Sequence, residues 1–343
     1  MFFKNIQPKT ALYELTLKCN MNCIHCGSSA GKKRNKELTT SEWNEVTKQL
    51  ANLKFKQITL LGGEPFLKKD WYEIAKKIKD TGLEVSIISN GLLINKKIIE
   101  KLKKIEPYVV GISLDGAKPE TQDYIRGIKG SFEKCINVLK DLKEANIATS
   151  VITTINKLNF KDLPEIRSML LNKGIAWQLQ IAIPVGRFKK ELMLSKEEFY
   201  ASGFFIAATQ KSYSFKELPI IGSHCFGYFS KKLPNVMIFP WSGCQAGIST
   251  IGIQSNGDVK GCLSLPSEFI EGNVKKNALE EILNNPDFCS YTRKFDVANL
   301  NSNCRQCKYV KKCKGGCVGT AYGINGKSNG DPYCFRLIEN SEG

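Results

Sequence analysis

Apolar, β-branched runs recur at even spacing through the first two hundred residues, and a helical pattern fills each interval between them. The runs at 12–17, 57–61, 84–88, 109–114, 149–155 and 178–183 read as strands, and helices are predicted over 40–53, 70–80, 95–104, 132–145, 163–172 and 196–208. The first helix opens on a Thr cap with Glu42 close behind it, and the helix ending at Asp80 is followed by Thr81-Gly82, a stop signal. Strand–helix units repeated in this way imply a parallel sheet. Six of them imply an α/β partial barrel, smaller than the eight-unit closed form. The alternation also fixes where chemistry can sit, because in such barrels the C-terminal ends of the strands form the working face.

The polar and glycine-rich segments of this half fall at those ends. Cys19, Cys23 and Cys26 follow strand one, Gly62-Gly63-Glu64-Pro65 follows strand two, and Ser89-Asn90-Gly91 follows strand three. Ser113-Leu114-Asp115-Gly116 ends strand four, and the segment from Ile183 to Arg187 follows strand six. Ordinary turn chemistry accounts for any one of these, since Gly, Asn and Asp favour turns. It accounts poorly for Glu64 and does not account for the cysteines.

Composition narrows the setting. Hydrophobic residues make up 42% of the 343, which is a globular composition, and no apolar run reaches the roughly 18 residues that a membrane span needs. The N-terminus lacks the apolar core and small-residue cleavage site of a secretory signal, so a cytoplasmic, reducing setting is expected. There, thirteen cysteines, an odd number, read as metal ligands or free thiols rather than disulfides. The net charge of +17 is spread in Lys pairs along the chain, which reads as a solvated surface, with an acidic peptide or protein as the partner it suits. Nucleic acid is not expected, because no single basic stripe is visible.

Thiolates suit iron–sulfur clusters and zinc, but a structural zinc site wants four closed ligands. The C-x3-C-x2-C run of Cys19, Cys23 and Cys26 has no nearby fourth, which fits a cubane with one iron left open. With Gly62-Gly63-Glu64-Pro65 after strand two, the run resembles the signature of the radical S-adenosylmethionine (SAM) enzymes. That resemblance implies that Cys19, Cys23 and Cys26 hold a 4Fe–4S cluster whose open iron chelates SAM. It further implies that Gly62, Gly63 and Glu64 meet the SAM amino group, that Ser113 bonds the ribose, and that Arg126 pairs with the SAM carboxylate. His25 stands at the aromatic position before the third cysteine, near adenine. Ser89 and Asn90 are candidates for the ribose or the cluster rim, and Gln180 for the barrel mouth.

The last hundred residues carry Cys244, Cys262, Cys304, Cys307, Cys313, Cys317 and Cys334. A zinc ribbon would explain the C-x2-C part alone. The whole spacing resembles the SPASM domain, which implies two auxiliary clusters: one on Cys244, Cys262 and Cys317, the other on Cys304, Cys307, Cys313 and Cys334. Some members of that family carry a further cysteine soon after the first. Here the stretch from Gln245 to Lys260 has none, which leaves one position open to substrate or to Cys225, and the reading inclines to the open position. Cys225 and Cys289 are also candidate hydrogen-atom donors, while Cys135 sits on an apolar stripe and reads as core. The domains expected are 9–212 for the barrel, 213–243 for a connection and 244–343 for the auxiliary-cluster domain.

The resemblance implies an oxidoreductase that cleaves SAM and modifies a ribosomally made peptide by crosslink, thioether or epimerisation. It also implies a reductant such as flavodoxin or ferredoxin, and the few residues before strand one suggest that any leader-peptide recognition falls to a separate protein. A small-molecule substrate (sugar, cofactor precursor or haem) stays open. A sulfatase-type maturase fits less well, because Leu263 stands where that branch has an aspartate. A pure electron carrier would have no use for Glu64 and its glycines.

Overall fold

The computed structural model describes residues 10–237 and 239–341. The first half alternates as the sequence predicts: β1 (Thr10–Glu14), α1 (Thr40–Asn52), β2 (Gln57–Leu61), α2 (Trp71–Asp80), β3 (Glu84–Ser89), α3 (Lys96–Ile105) and β4 (Val109–Ser113). After β4 come two helices, α4 (Pro119–Arg126) and α5 (Ser131–Glu144), then β5 (Thr149–Ile155), α6 (Leu163–Leu170), β6 (Ala176–Ile181) and α7 (Lys196–Ser212). Local chemistry sets the boundaries. Thr39 and Glu42 close a capping box on α1, and Ser195 and Glu198 close another on α7. Helix α4, which sequence reasoning missed, starts on Pro119 at its first turn and stops at Gly127 in the left-handed region.

The sheet is larger than six strands. β7 (Ile220–Gly222) pairs in parallel with β6, and β8 (Thr250–Ile253), from the last hundred residues, pairs in parallel with β1. β9 (Asp258–Lys260) and β10 (Gly272–Asn273) continue it antiparallel, giving the order β10-β9-β8-β1-β2-β3-β4-β5-β6-β7. The cysteine-rich region is thus joined to the barrel through its backbone hydrogen bonds. These four strands escaped the sequence reading because two to four residues cannot establish a period.

Strand β6 buries alternate residues under the helices. In β6, Trp177, Leu179 and Ile181 are buried while Ala176, Gln178 and Gln180 stay partly exposed on the other face. The helix side of the core is apolar and aromatic: Tyr13 of β1 lies 4.3 Å from the ring of Trp43 in α1, and its hydroxyl meets Thr47 Oγ1 at 3.2 Å. The inward side carries polar pairs, with Gln57 bonded to Ser86 at 2.8 Å and Gln180 to Thr154 at 3.0 Å.

The C-terminal segment is held on α7 by aromatic stacking. The Phe199 ring stacks at 4.9 Å on both Tyr333 and Phe335, and at 5.4 Å on Phe226. Gly203, one turn further along α7, makes room for the Phe335 ring; a Cβ there would stand 2.4 Å from Phe335 Cζ. Glycine inside a helix ordinarily costs about 1 kcal/mol relative to alanine. Here the sign reverses, because the buried Phe335 ring has nowhere to go. Gly203→Ala is expected to lower stability by about 1–3 kcal/mol, read as a drop in urea midpoint at unchanged slope.

Candidate active site

The three cysteines after β1 lie in a loop pinned at several points. Cys19 N donates to Gly31 O at 3.0 Å, and Lys18 bridges to Gly31 as a short parallel pair. From the loop after β6, Arg187 donates through Nε to Cys23 O at 3.0 Å and through a terminal nitrogen to Ala30 O at 2.6 Å, while its own N–H reaches Cys26 O at 3.0 Å. Gly186 permits this approach, since a Cβ there would stand 2.4 Å from Cys26 O. Arg187 was quoted in a strand-ending segment, but its clamping role was not legible. Main-chain N–H groups meet the sulfurs: Met21 N lies 3.4 Å from Cys19 Sγ, and Ala30 N lies 3.3 Å from Cys26 Sγ.

The second motif is laced to the same loop. Gly63 N donates to Thr16 O at 2.8 Å and Glu64 N to Lys18 O at 2.9 Å. Both glycines are required by contact: a Cβ on Gly62 would stand 2.3 Å from Thr16 O, and one on Gly63 would stand 2.3 Å from Lys18 O. Glu64 is fully buried, and its carboxylate accepts from Ser89 Oγ (2.9 Å), Asn90 N (2.8 Å) and Phe66 N (3.3 Å). Burial pushes its carboxyl up to about 7 despite these three donors. Ser89 is therefore spent on Glu64 rather than turned to the lumen. Asn90 bonds Asn20 at 2.8 Å and stands 3.9 Å from Cys19 Sγ, at the rim of the cysteine loop.

A carboxylate that the sequence reading passed over organises the rest. Asp115 Oδ2 meets His25 Nε2 at 2.8 Å and Arg126 Nη2 at 2.6 Å, and its Oδ1 accepts from Thr154 N at 2.8 Å. Burial alone would raise the Asp115 carboxyl, but the Arg126 and His25 charges hold it below the usual carboxylate range. His25 and Arg126 are thus engaged with Asp115 in the structure, and Arg126 also stands 3.9 Å from Cys23 Sγ. Two buried nitrogens on them, His25 Nδ1 and Arg126 Nε, have no hydrogen-bond partner. Ser113, two residues before this carboxylate, is partly exposed on the inward face, and Gln180 is held to Thr154, its neighbour on β5.

The Cys244 thiol donates to Cys317, which pulls Cys317 down to about 6, and Cys262 is an electrostatic neighbour of Cys317. Cys304 feels Cys334 and Cys307, and Cys313 feels Cys304 and Cys307; burial pushes both Cys304 and Cys313 up to about 11. Cys225 is buried, accepts from Ile181 N at 3.3 Å, and interacts electrostatically with Cys317. Cys289 is buried with a left-handed backbone (φ 49°), pressed against Gly247 and Gly261. Burial pushes its thiol up to about 12, with Tyr291 donating to it. Cys135 lies in the core under α5, as its apolar stripe predicts.

The cysteine sets fit iron–sulfur clusters in chemistry. Among the described residues no three His, Cys, Asp or Glu side chains converge as tightly as a single metal ion requires. Thiol groups on separate corners are what a cubane needs, and N–H donors to sulfur tune such ligands. The protonated thiols must lose their protons as a cluster assembles. Where the two regions meet, a cavity of about 440 Å³ opens. Its walls include Gly27 and Ser28 beyond Cys26, Leu263 beyond Cys262, Tyr322 from the helix after Cys317, and Val185 from the β6 loop. That volume is in the range of ligand sites.

Asp115→Asn is expected to cost about 3–5 kcal/mol at neutral pH, because it leaves the buried Arg126 guanidinium without its counter-charge. The sign of the pH dependence follows. A carboxyl depressed in the folded state contributes stability above its unfolded value of about 4 and loses it as pH falls through the folded value. Wild type and variant should therefore converge as pH drops below about 4, in urea titrations of anaerobically purified protein.

Comparison with known families agrees with this geometry. Residues 13–170 match the radical SAM superfamily and residues 244–308 match SPASM, an iron–sulfur cluster-binding domain. The chain is 28% identical to an AdoMet-dependent heme synthase of Methanosarcina barkeri, over 96% of both chains. It is 24% identical to a mycofactocin maturase, MftC, of Mycolicibacterium smegmatis, over 95% of this chain and 82% of the other. Its fold matches Streptococcus suis SuiB bound to precursor peptide SuiA with a TM-score of 0.79 at 18% identity, covering 96% of this chain and 76% of that one. The chain is an enzyme of the radical SAM superfamily, with a partial barrel followed by a SPASM iron–sulfur domain.

Proposed function

We propose that this enzyme modifies a peptide. The observation that carries the reading is the cavity at the seam, walled by the segments that follow Cys26 and Cys262 and by the helix that follows Cys317. A substrate seated there lies between the SAM-binding set and the first auxiliary set. The likeness in fold to SuiB and the resemblance in sequence to a mycofactocin maturase support a peptide as that substrate. A tetrapyrrole is the second reading, supported by the relatives named AdoMet-dependent heme synthase and Fe-coproporphyrin III synthase, each 28% identical. Among the described residues no helix is long and apolar enough to cross a membrane, which is compatible with a cytoplasmic setting.

In this reading Cys19, Cys23 and Cys26 hold the cluster, and the carbonyls of Gly62 and Gly63 receive the SAM amino group. Glu64, spent on Ser89, Asn90 and Phe66, holds that turn in place. His25 and Arg126 keep their unpartnered nitrogens for the nucleoside and carboxylate ends of SAM, oriented by Asp115. When bound, cluster and SAM supply one-electron cleavage of the sulfonium and a 5′-deoxyadenosyl radical that takes a hydrogen atom from the substrate. The chain's own task is to orient the substrate bond and keep water from it.

Anaerobically purified protein is expected to carry about twelve irons, as three four-iron clusters require. With SAM, a reductant and a peptide encoded beside its gene, it should release 5′-deoxyadenosine together with a peptide altered in mass or stereochemistry. Turnover of Fe-coproporphyrin III with no change in any such peptide would decide for the second reading.

The first auxiliary set also becomes specific. Cys225 is buried, and its sulfur already takes a main-chain N–H, as the Cys19 and Cys26 sulfurs do. We read it as the fourth ligand, in place of the open position that the sequence inclined to. Cys225→Ala should lose about four irons and the spectrum of one cluster. An intact first auxiliary cluster whose spectrum responds to added peptide would restore the open position.

A further inference from the structure

The second auxiliary set carries a feature that substrate chemistry does not use. From Cys304 to Cys317 the chain holds Arg305, Lys308, Lys311, Lys312 and Lys314 and no carboxylate. Arg305, Lys308, Lys311 and Lys312 are exposed, while Cys304, Cys307, Cys313 and Cys334 are each partly exposed beside them. Nearby carboxylates are engaged elsewhere: Asp331 by the Tyr228 hydroxyl, Glu339 by Ser230 and the Lys231 N–H, and Asp296 by Ala298 N. The face is also preformed. Tyr309, between Cys307 and Cys313, stacks on Phe229 at 4.4 Å and 7°, and its ring carries Lys308 at 5.1 Å and Arg336 at 5.4 Å.

We propose that this face docks a small acidic one-electron carrier protein of the flavodoxin or ferredoxin class. The cations occupy the intervals between the thiols of one set, so a partner held by their charge is brought against that set. None of Arg305, Lys308, Lys311 and Lys312 lines the cavity at the seam, where cations guiding a substrate would stand. The step is a transfer of one electron. The carrier's cofactor is oxidised by one electron, the iron–sulfur group on Cys304, Cys307, Cys313 and Cys334 is reduced by one, and no proton or group moves. The electron is the one that sulfonium cleavage consumes. This inference rests on membership of the radical SAM superfamily and is independent of whether the substrate is a peptide or a tetrapyrrole.

The test compares the holoenzyme with the triple variant Lys308→Glu/Lys311→Glu/Lys312→Glu and with Lys140→Glu/Lys143→Glu/Lys173→Glu on the outer groove between α5 and α6. Reduced flavodoxin is mixed with each under argon. Bleaching of the iron–sulfur absorbance is followed by stopped flow, and binding of oxidised flavodoxin is followed by surface plasmon resonance. At low ionic strength the first variant should be reduced roughly tenfold more slowly or worse and bind correspondingly more weakly. The difference should vanish near 1 M salt, where screening falls to about 3 Å. The second variant should match wild type. Wild-type reduction and binding by the first variant would overturn the proposal, as would equal slowing by both variants, which would assign the effect to diffuse charge. So would loss of binding to a duplex DNA or an acidic leader peptide with flavodoxin unaffected. If the first variant assembles with less iron than wild type, the Lys→Gln triple, which removes charge without adding repulsion, is read by the same criteria.

Discussion

One buried carboxylate holds the catalytic half of this molecule together. Asp115 sits at the end of β4 and reaches three other elements: the cysteine loop through His25, α4 through Arg126, and β5 through Thr154 N. A carboxylate in so dry a place is stable only if paired, and the guanidinium of Arg126 that pairs with it stands 3.9 Å from Cys23 Sγ. The arrangement links two requirements. The pair keeps Asp115 ionised, and Asp115 keeps His25 and Arg126 facing the place where SAM is proposed to bind. Glu64 does the same service from β2 with a different balance, since its partners are neutral donors and burial is left to raise its carboxyl.

The two regions of the chain are fastened by backbone before they are fastened by side chains. β8 extends the barrel sheet on the β1 side, and its end delivers Ser255 to Glu14, which in turn forms a two-point contact with Arg34 at 2.6 and 2.9 Å. Glu37 closes the same network onto Thr16 and Leu17 N. The cysteine loop is therefore braced from one side by the SPASM region and from the other by Arg187 of the β6 loop. A cavity walled by both regions follows from that bracing.

Much of this was legible in the sequence. β2 and β5 match their expected bounds, and the other four strands shift by one to three residues, because strand ends depend on pairing partners that a local period does not contain. What was hidden is of one kind. Asp115 read as part of a turn, Arg187 read as part of a loop, and β7 and β8 were too short for a period. Each acquires its role only from a partner far along the chain: Asp115 from His25, ninety residues before it, and Arg187 from Cys23, at a sequence separation of 164. Local pattern cannot report such partners. An isolated polar residue next to a recognised motif was the available signal, and it was present in Ser113-Leu114-Asp115-Gly116.

The same distinction applies to charge. Read along the chain, +17 is a diffuse lysine-rich surface. Read on the structure, part of it is concentrated around the thiols that are proposed to meet a reductant, and part of it rims the apolar groove of Ile136, Leu139 and Met169 on the outer wall. Those two places differ in what a partner would gain. A groove lined by none of the proposed cluster ligands offers binding without chemistry, whereas cations interleaved with partly exposed thiols couple binding to electron transfer. A radical enzyme must admit an electron without admitting water to the substrate. Placing the cations at the outer cysteine set, and the cavity at the inner one, separates the two entrances.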